Sequence, residues 1–493
     1  MIPRAALARN GQRAHQWQTR SNYRRCLATA ASGSFSYETG DAGGVKFASR
    51  DLPGPTTHLA VVAKAGTRYQ PLPGFSEGLE KFSFKVRILE LTAWFAGPQN
   101  TWKRSALRIT RETELLGGEY SSYHSRENLV IGAKFLRDDL PYFAELIGEV
   151  ISQTKYTAHE LHEEVEPNMD LSRKELLGNP IEFAMNSAHG VAFHRGLGTS
   201  LHPSSSTPMT KYLNENRLRQ YSRIAYAKSN FAVVANGADH QELSKWINEF
   251  FTELDQSPPQ DFPSTGTEPT KYYGGEERIA HDSGNTMVIA FPGSGSATGS
   301  SYRPESQVLA ALLGGQSNIK WTPGFSLLSK ATAAYPQAHI TTAHHTYSDA
   351  GLLTISMYGN ADQIRQASQE VVKAIKSVAA GNVSKEEMKK AVATAKFKAL
   401  ESGQNMNTGI ELTGAGLVQG GQAFQIDELG KSIDTVTEDQ VKKVGFVPGS
   451  DLRLADRDCS SKVAKSLLDG RATVSSVGDL YILPFAEEIG LNV

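Results

Sequence analysis

A pattern that occurs twice constrains this chain most. Residues 128–136, NLVIGAKFL, are strand-like and run into RDDLPYFAELIGEVISQT, where Leu140, Phe143, Ile147, Val150 and Ile151 recur at helical spacing. Residues 351–359, GLLTISMYG, are strand-like as well, and run into NADQIRQASQEVVKAIKSV, where Ile364, Ala367, Val371, Ile375 and Val378 repeat that spacing. Each segment then reaches a capping box, Thr157 with Glu160 in TAHEL and Ser384 with Glu387 in SKEEM. In such a box a hydroxyl and a carboxylate on the first turn satisfy orphan N–H groups reciprocally. Strand, helix, capping box and helix, in the same order at a near-constant offset, predict a duplicated α+β domain. The expected fold is two homologous halves, each a mixed β-sheet with helices packed on one side.

The boundary between the halves is compositional. Residues 254–270, LDQSPPQDFPSTGTEPT, concentrate proline, serine and threonine without an apolar period and read as a linker. The halves are then residues 34–253 and 271–493, ample for two cores in a chain of 493 residues. Residues 1–33 stand apart. Arg4, Arg9, Arg13, Arg20, Arg24 and Arg25 occur among alanines, serines and scattered apolar residues, and no acid appears before Glu38. This is the composition of a mitochondrial transit peptide, with cleavage expected within RRCLATAASG. Over the whole chain the charges balance, 51 basic against 52 acidic, which gives no general attraction to nucleic acid. Cys26 and Cys459 are the only cysteines, too few for a disulfide framework, a cysteine zinc site or a haem attachment motif. No apolar run approaches the ~18 residues of a membrane span, so the mature protein is expected to be soluble or peripheral.

The chemistry turns on GFSEGLEKFSFK, residues 74–85, with Glu77, Glu80 and Lys81 in an E-x-x-E-K arrangement. Histidines at Glu77 and Lys81 would make H-x-x-E-H, in which two imidazoles one turn apart hold a zinc ion and the glutamate activates its water. An ammonium cannot ligate a cation. Glu77 followed by Lys81 is instead the favourable orientation of an i,i+4 ion pair, which alone reads as a solvated helix face.

Beyond that turn the chain resembles the pitrilysin-type peptidase family, which includes the mitochondrial processing peptidase and the core proteins of the cytochrome bc1 complex. The resemblance rests on GFSEGLEKFSFK, on AGTRYQ before it, and on KRSALRITRETELLGGEYSSYHSREN and NPIEFAMNSAHGVAF after it, and covers most of residues 44–455. GLEKFSFK and LLGGQSNIKWTPGFSLLSKA, residues 312–331, are most similar to the core-protein branch. Carried over by position, the resemblance places the zinc ligands at Glu77 and Lys81, the general base at Glu80, and the third ligand near Leu171 or Ser172, with Glu175 close by. Only Glu80 keeps the active pattern, so no catalytic residue, metal or cofactor is expected.

The function this implies is a non-redox structural core subunit of ubiquinol–cytochrome c reductase, complex III, needed for its assembly and not itself a peptidase. Its implied neighbours are core protein 1, cytochrome b, cytochrome c1 and the Rieske protein, with attachment at the matrix side of the inner membrane. A noncatalytic processing-peptidase subunit is the alternative. The glycine-rich substrate loop of that subunit would correspond to LGGQSNIKWTPG, which carries only Gly314 and Gly315 before Lys320 and Trp321, against a substrate-capturing role. An active zinc peptidase would need ligands absent here.

Lesser candidates have plainer readings. His159 and His162 in HELHEE follow a helix cap at i and i+3 and are expected in a solvated first turn. His344 and His345 are adjacent, so on a strand they point to opposite faces and make a poor ligand pair. PGSGSATG, residues 292–299, departs from G-x-G-x-x-G and is expected between two strands. Finally, residues 86–99, VRILELTAWFAGPQ, interrupt what would be a continuous family-like FSFKNTWKRSALRI. The segment reads either as an apolar insert that a partner must cover or as a translated short intron in the gene sequence.

Overall fold

The computed structural model describes residues 36–84, 100–259, 268–299, 301–316, 324–380, 382–436 and 471–493. The expected transit peptide, the 86–99 segment, Lys320, Trp321 and both cysteines lie outside the described residues.

The first sheet is built from β1 (Glu38–Ala42), β2 (Val45–Arg50), β3 (Thr56–Ala63), β4 (Glu119–His124), β5 (Leu129–Leu136) and β6 (Phe231–Asn236), in the order β1-β2-β6-β3-β5-β4. The second uses β7 (Gly275–Ala280), β8 (Asn285–Gly293), β9 (Ala338–Thr346), β10 (Gly351–Gly359) and β11 (Thr473–Gly478), in the order β7-β11-β8-β10-β9. Apart from β1 the two orders are the same. In each half, leaving β1 aside, the last strand inserts between the first two, parallel to one (β2–β6, β7–β11) and antiparallel to the other (β3–β6, β8–β11). The repeated strands of the sequence are β5 and β10, each antiparallel to both neighbours.

The helices follow the same duplication. The first half carries α1 (Phe75–Ser83), α2 (Ala106–Leu116), α3 (Leu140–Gln153), α4 (Glu166–Gly178), α5 (Pro180–Phe193), α6 (Glu215–Ala225) and α7 (His240–Phe250). The second carries α8 (Pro304–Leu313), α9 (Ala361–Ala379), α10 (Lys385–Gln404), α11 (Met406–Ala415) and α12 (Ile426–Asp434). α3 follows β5 as α9 follows β10. The capping box at Ser384 is complete, with Glu387 N–H on the hydroxyl and Ser384 N–H on the carboxylate. The box at Thr157 is only half made. Its hydroxyl accepts from Glu160 N–H and donates to Glu160 Oε2, while Glu160 Oε1 accepts from the backbone and side-chain N–H groups of Asn100. From Leu161 to Val165 the helix begun at Ala158 opens into a wide turn, just before Pro167, whose ring cannot continue a regular ladder.

Helices of the first half cover one face of its sheet. Leu79 and Phe82 of α1, Phe143 and Ile147 of α3, Leu218 of α6 and Ile247 of α7 meet Phe47, Leu59, Val61, Ile131 and Val233. The opposite face is covered by the other half. Ile410 of α11 and the following Leu417 lie on Ala48, Ala60, Val62, Ala232 and Val234. Reciprocally, Ala184 and Ala188 of α5 lie on Val288 and Val477 of the second sheet, and Ala192 and Phe193 on Ala290 and Leu352. Small residues on these outer faces let helix and sheet approach closely: a Cβ added at Gly414 would fall 2.5 Å from the Val62 side chain. Burial on both faces explains why all six residues of β6, FAVVAN, are buried instead of alternating.

The described ends of the expected linker are fastened down. Asp255 accepts from the Arg223 guanidinium and, through its carbonyl, from Lys228 N–H. The Glu268 carbonyl accepts from Arg68, and Thr270 donates to Asp349.

Candidate functional site

α1 begins at Gly74 (φ 95°), a left-handed position where a Cβ would press on Met209 Sδ at 3.0 Å. The helix enters the core directly, and all nine of its residues are buried, Glu77, Glu80 and Lys81 included. The expected solvated face is therefore incorrect, and so is the expected Glu77–Lys81 pair. Lys81 Nζ bonds its neighbour Glu80 at 2.8 Å, and Glu77 Oε1 instead accepts from His202 Nδ1 at 3.0 Å. The physical reason is burial. In water one turn of spacing selects the partner, whereas a buried carboxylate takes whichever donor the surrounding elements supply.

Glu80 sits between two cations. Its other oxygen meets Nδ1 of His124, at the end of β4, whose Nε2 lies 3.0 Å from the Leu201 carbonyl. Both ring nitrogens of His124 thus face acceptors, so the ring donates twice and is an imidazolium. Burial alone would push His124 down; the Glu80 charge and hydrogen bond, the Glu77 charge and the Leu201 carbonyl outweigh it and hold the ring above the ordinary histidine value. Burial would likewise raise Glu80, but His124 and then Lys81 bring it down to about 2. The His124 and His202 rings meet edge to face at 5.6 Å. Glu77 Oε2 is buried without a partner among the described residues.

α4, which carries the third-ligand region, packs against α1. Leu171 is half-buried and Ser172 buried, and neither side chain is a zinc ligand; Glu175 faces solvent. Catalysis on this helix would need a metal and a basic carboxylate. At the position where the resemblance implies a ligand, Lys81 offers an ammonium with no lone pair, His124 has no free lone pair, and Glu80 at about 2 is a very weak base. Among the described residues no group of three or more His, Cys, Asp or Glu could hold a metal ion. The residues present do not fit the zinc of an active peptidase. Lys81 and His124 instead supply two positive charges against Glu77 and Glu80.

The lesser candidates fall as follows. His159 and His162 are exposed and face Glu163 and Glu166 one turn on. His344 Nε2 accepts from Ser294 N–H, while the His345 ring meets His189 edge to face at 5.7 Å. Both are held down at about 4, chiefly by burial, and are neutral. The 292–299 stretch leads from β8 towards α8, not between two strands. Four of its N–H groups are already engaged, Ser294 on His344 Nε2, Gly295 on the Ser301 carbonyl, Ser296 on that of Tyr347 and Gly299 on that of Ser296, against a phosphate cradle. His124 and His202 carry the site's electrostatics, yet no spacing rule links them to α1. The available signal was indirect: charges on a helix that enters a core require partners from elsewhere.

Residues 46–201 match the family description Insulinase (Peptidase family M16), and residues 212–395 match Peptidase M16 inactive domain. Over its full length the chain is 46% identical to cytochrome b-c1 complex subunit 2, mitochondrial, of Neurospora crassa, covering 100% of that protein. The chain belongs to the cytochrome b-c1 complex subunit 2 family. The Yarrowia lipolytica protein of that name is 32% identical over 94% of this chain and 98% of its own length. A probable mitochondrial-processing peptidase subunit alpha-1 of Arabidopsis thaliana is more distant, 24% identical over 90% of the chain and 82% of its own length. Membership agrees with the duplicated fold: the first match lies within the first half, and the second runs from residue 212 in the first half to residue 395 in the second. Among the described residues no helix is long and apolar enough to cross a membrane.

Proposed function

We propose that this chain is a non-redox core subunit of complex III that acts as a scaffold and has no peptidase activity of its own. The observation that carries the inactivity is the charge arrangement on α1, with Lys81 at a ligand position and Glu80 locked between Lys81 and His124. The scaffold role draws on the full-length likeness to subunit 2 of the complex. The implied neighbours are core protein 1, cytochrome b, cytochrome c1 and the Rieske protein, with the chain peripheral on the matrix side. In this reading residues 1–33 are a transit peptide, residues 34–253 and 271–493 are the two halves, and 254–270 joins them.

Deletion of the gene, followed by native gels and spectroscopy of mitochondrial membranes, tests the assignment. The expected outcome is less assembled complex and unchanged turnover per remaining complex. The wild-type chain should co-migrate with cytochrome b. Normal abundance of the complex with failed presequence cleavage would favour a noncatalytic processing-peptidase subunit, a reading supported by relatives at 24% identity.

A further inference from the structure

Away from α1, unexplained polar groups gather on the outer face of the first sheet. Arg50, at the end of β2, pairs in register with Asn236 on β6, Asn236 with His58 on β3, and His58 with Lys134 on β5. By strand alternation this row shares its face with Ala48, Ala60 and Val234, the face on which α11 lies. Arg50, Asn236 and Tyr37 are 2%, 1% and 4% exposed. The Arg50 guanidinium lies 4.9 Å from the centre of the Tyr37 ring. Among the described residues its Nε and Nη1 have no hydrogen-bond partner, nor do Oδ1 and Nδ2 of Asn236 or Oη of Tyr37. A Cβ added at Gly409 would lie 3.6 Å from Tyr37 Oη, so the first turn of α11 borders the same place.

Other buried arginines are answered. Arg68 faces Glu127 and Asp349, Arg104 faces Glu145 and Glu149, and Arg126 faces the carbonyls of Leu197 and Thr199. Arg50 faces an aromatic ring and, among the described residues, no carboxylate. A buried guanidinium is always charged and is costly to leave unpaired, so a missing ligand is the direct explanation. Its chemistry follows from the unpaired atoms. His58 is held down at about 4, by burial and then by Lys134, and is neutral; Lys134 is exposed. One uncompensated buried cation calls for a monoanion. The Arg50 N–H groups need acceptors, but the Asn236 amide, whichever way it is turned, needs both an acceptor and a donor. Sulfate offers acceptors alone. An oxyanion that keeps an O–H offers both.

We propose that Tyr37, Arg50 and Asn236 form a binding site for a free oxyanion of the dihydrogen-phosphate class, a monoanion that keeps O–H groups, bordered by the first turn of α11. Because the sheet belongs to one half and α11 to the other, the bound ion ties the halves together at this edge.

The test uses the full-length chain, inorganic phosphate as the probe and sulfate as the control at matched ionic strength. Equilibrium dialysis with radiolabelled phosphate should show saturable binding of about one ion per chain, with sulfate roughly tenfold weaker or more. Phosphate should also raise the thermal midpoint. Asn236→Asp places a carboxylate beside Arg50 as an internal counterion and should abolish both responses while the chain stays folded. Arg50→Met should abolish them as well; if that variant fails to fold, Asn236→Asp decides. Absence of saturable binding, equal responses to phosphate and sulfate, or undiminished binding by Asn236→Asp would overturn the proposal. So would an experimental map at high resolution, collected in phosphate, with only water between Arg50 and Asn236.

Discussion

Arg68 and Asp349 clasp the two halves through a bidentate pair, Nη1 to Oδ1 and Nη2 to Oδ2, each at 2.7 Å. Glu127 completes the clasp. It accepts from Arg68 at 2.7 Å and from the backbone N–H and hydroxyl of Ser348 at 2.8 and 2.6 Å. Arg68 comes from the AGTRYQ stretch and Asp349 from the turn between β9 and β10, so the contact joins sequence-distant positions at the seam. It is reinforced by Glu411 of α11, which accepts from Tyr123, Ser125 and Asn128.

Removing Asp349 leaves a buried guanidinium with one carboxylate in place of two. Breaking a buried pair typically costs about 3–5 kcal/mol; because Asp349 is 33% exposed, the expected loss for Asp349→Ala is about 2 kcal/mol. Equilibrium denaturation of the full chain measures it. Burial raises the Asp349 carboxyl, but its bonds to Arg68 and Thr270 leave it below the ordinary value. Its contribution is therefore present above about pH 4 and lost as pH falls through the depressed value. Asp349→Asn should lose that part of the acid dependence.

His124 offers a second pH signature with the opposite sign. Its raised value makes its contribution complete below about pH 6.5 and lost as pH rises through the folded value. Glu80, at about 2, contributes fully above about pH 4.3 and loses its contribution only in strong acid. Ring-nitrogen NMR at pH 7 should find both His124 nitrogens protonated. His124→Gln should cost about 1–3 kcal/mol by leaving buried acceptors unmet. A neutral His124 ring at pH 7 would refute the double-donor arrangement.

Restoring the two missing histidines should not restore a peptidase. In Glu77→His with Lys81→His, Glu80 still bonds His124, and α4 still presents Leu171 and Ser172 where a third ligand would be needed. Metal analysis of the purified wild-type chain and of this variant should find no stoichiometric zinc, and neither should cleave a presequence peptide. Chelator-sensitive cleavage by either one would sink this account.

The repeat was legible because its signals are local. Helical period, strand runs and the Ser384 box each depend on residues within a few positions of one another, and β5–α3 and β10–α9 appear where those signals lie. Local reasoning fails where a partner comes from far along the chain. On α1 a helical wheel selects Glu77 with Lys81, but His202, 125 positions from Glu77, takes the carboxylate. At Thr157 the box is incomplete: one oxygen of Glu160 accepts from the Thr157 hydroxyl and the other is taken by Asn100, 60 positions away. The crossing of α5 and α11 between halves had a compositional trace in the alanines and glycines of both helices, NPIEFAMNSAHGVAF among them. Small residues permit close approach but do not say to which surface.

That crossing yields the last prediction. α11 lies so near the outer face of the first sheet that a Cβ on Gly414 would stand 2.5 Å from Val62 Cβ and Cγ2, well inside contact distance. Val62 is in the middle of the sheet and fully buried, so neither strand nor helix can yield without displacing β6 or its neighbours. Gly414→Ala should therefore destabilise by about 1–3 kcal/mol through overpacking, although alanine favours a helix. The loss should concentrate at the seam, with hydrogen exchange accelerating in α11 and β3 while α9, buried in the second half's own core, stays protected. Val62→Ala in the same chain removes the Cγ contacts while keeping Cβ, and should recover part of the loss, a coupling that two independent sites would not show. If Gly414→Ala is as stable as the wild type and exchange in α11 is unchanged, the helix does not pack on this face as described.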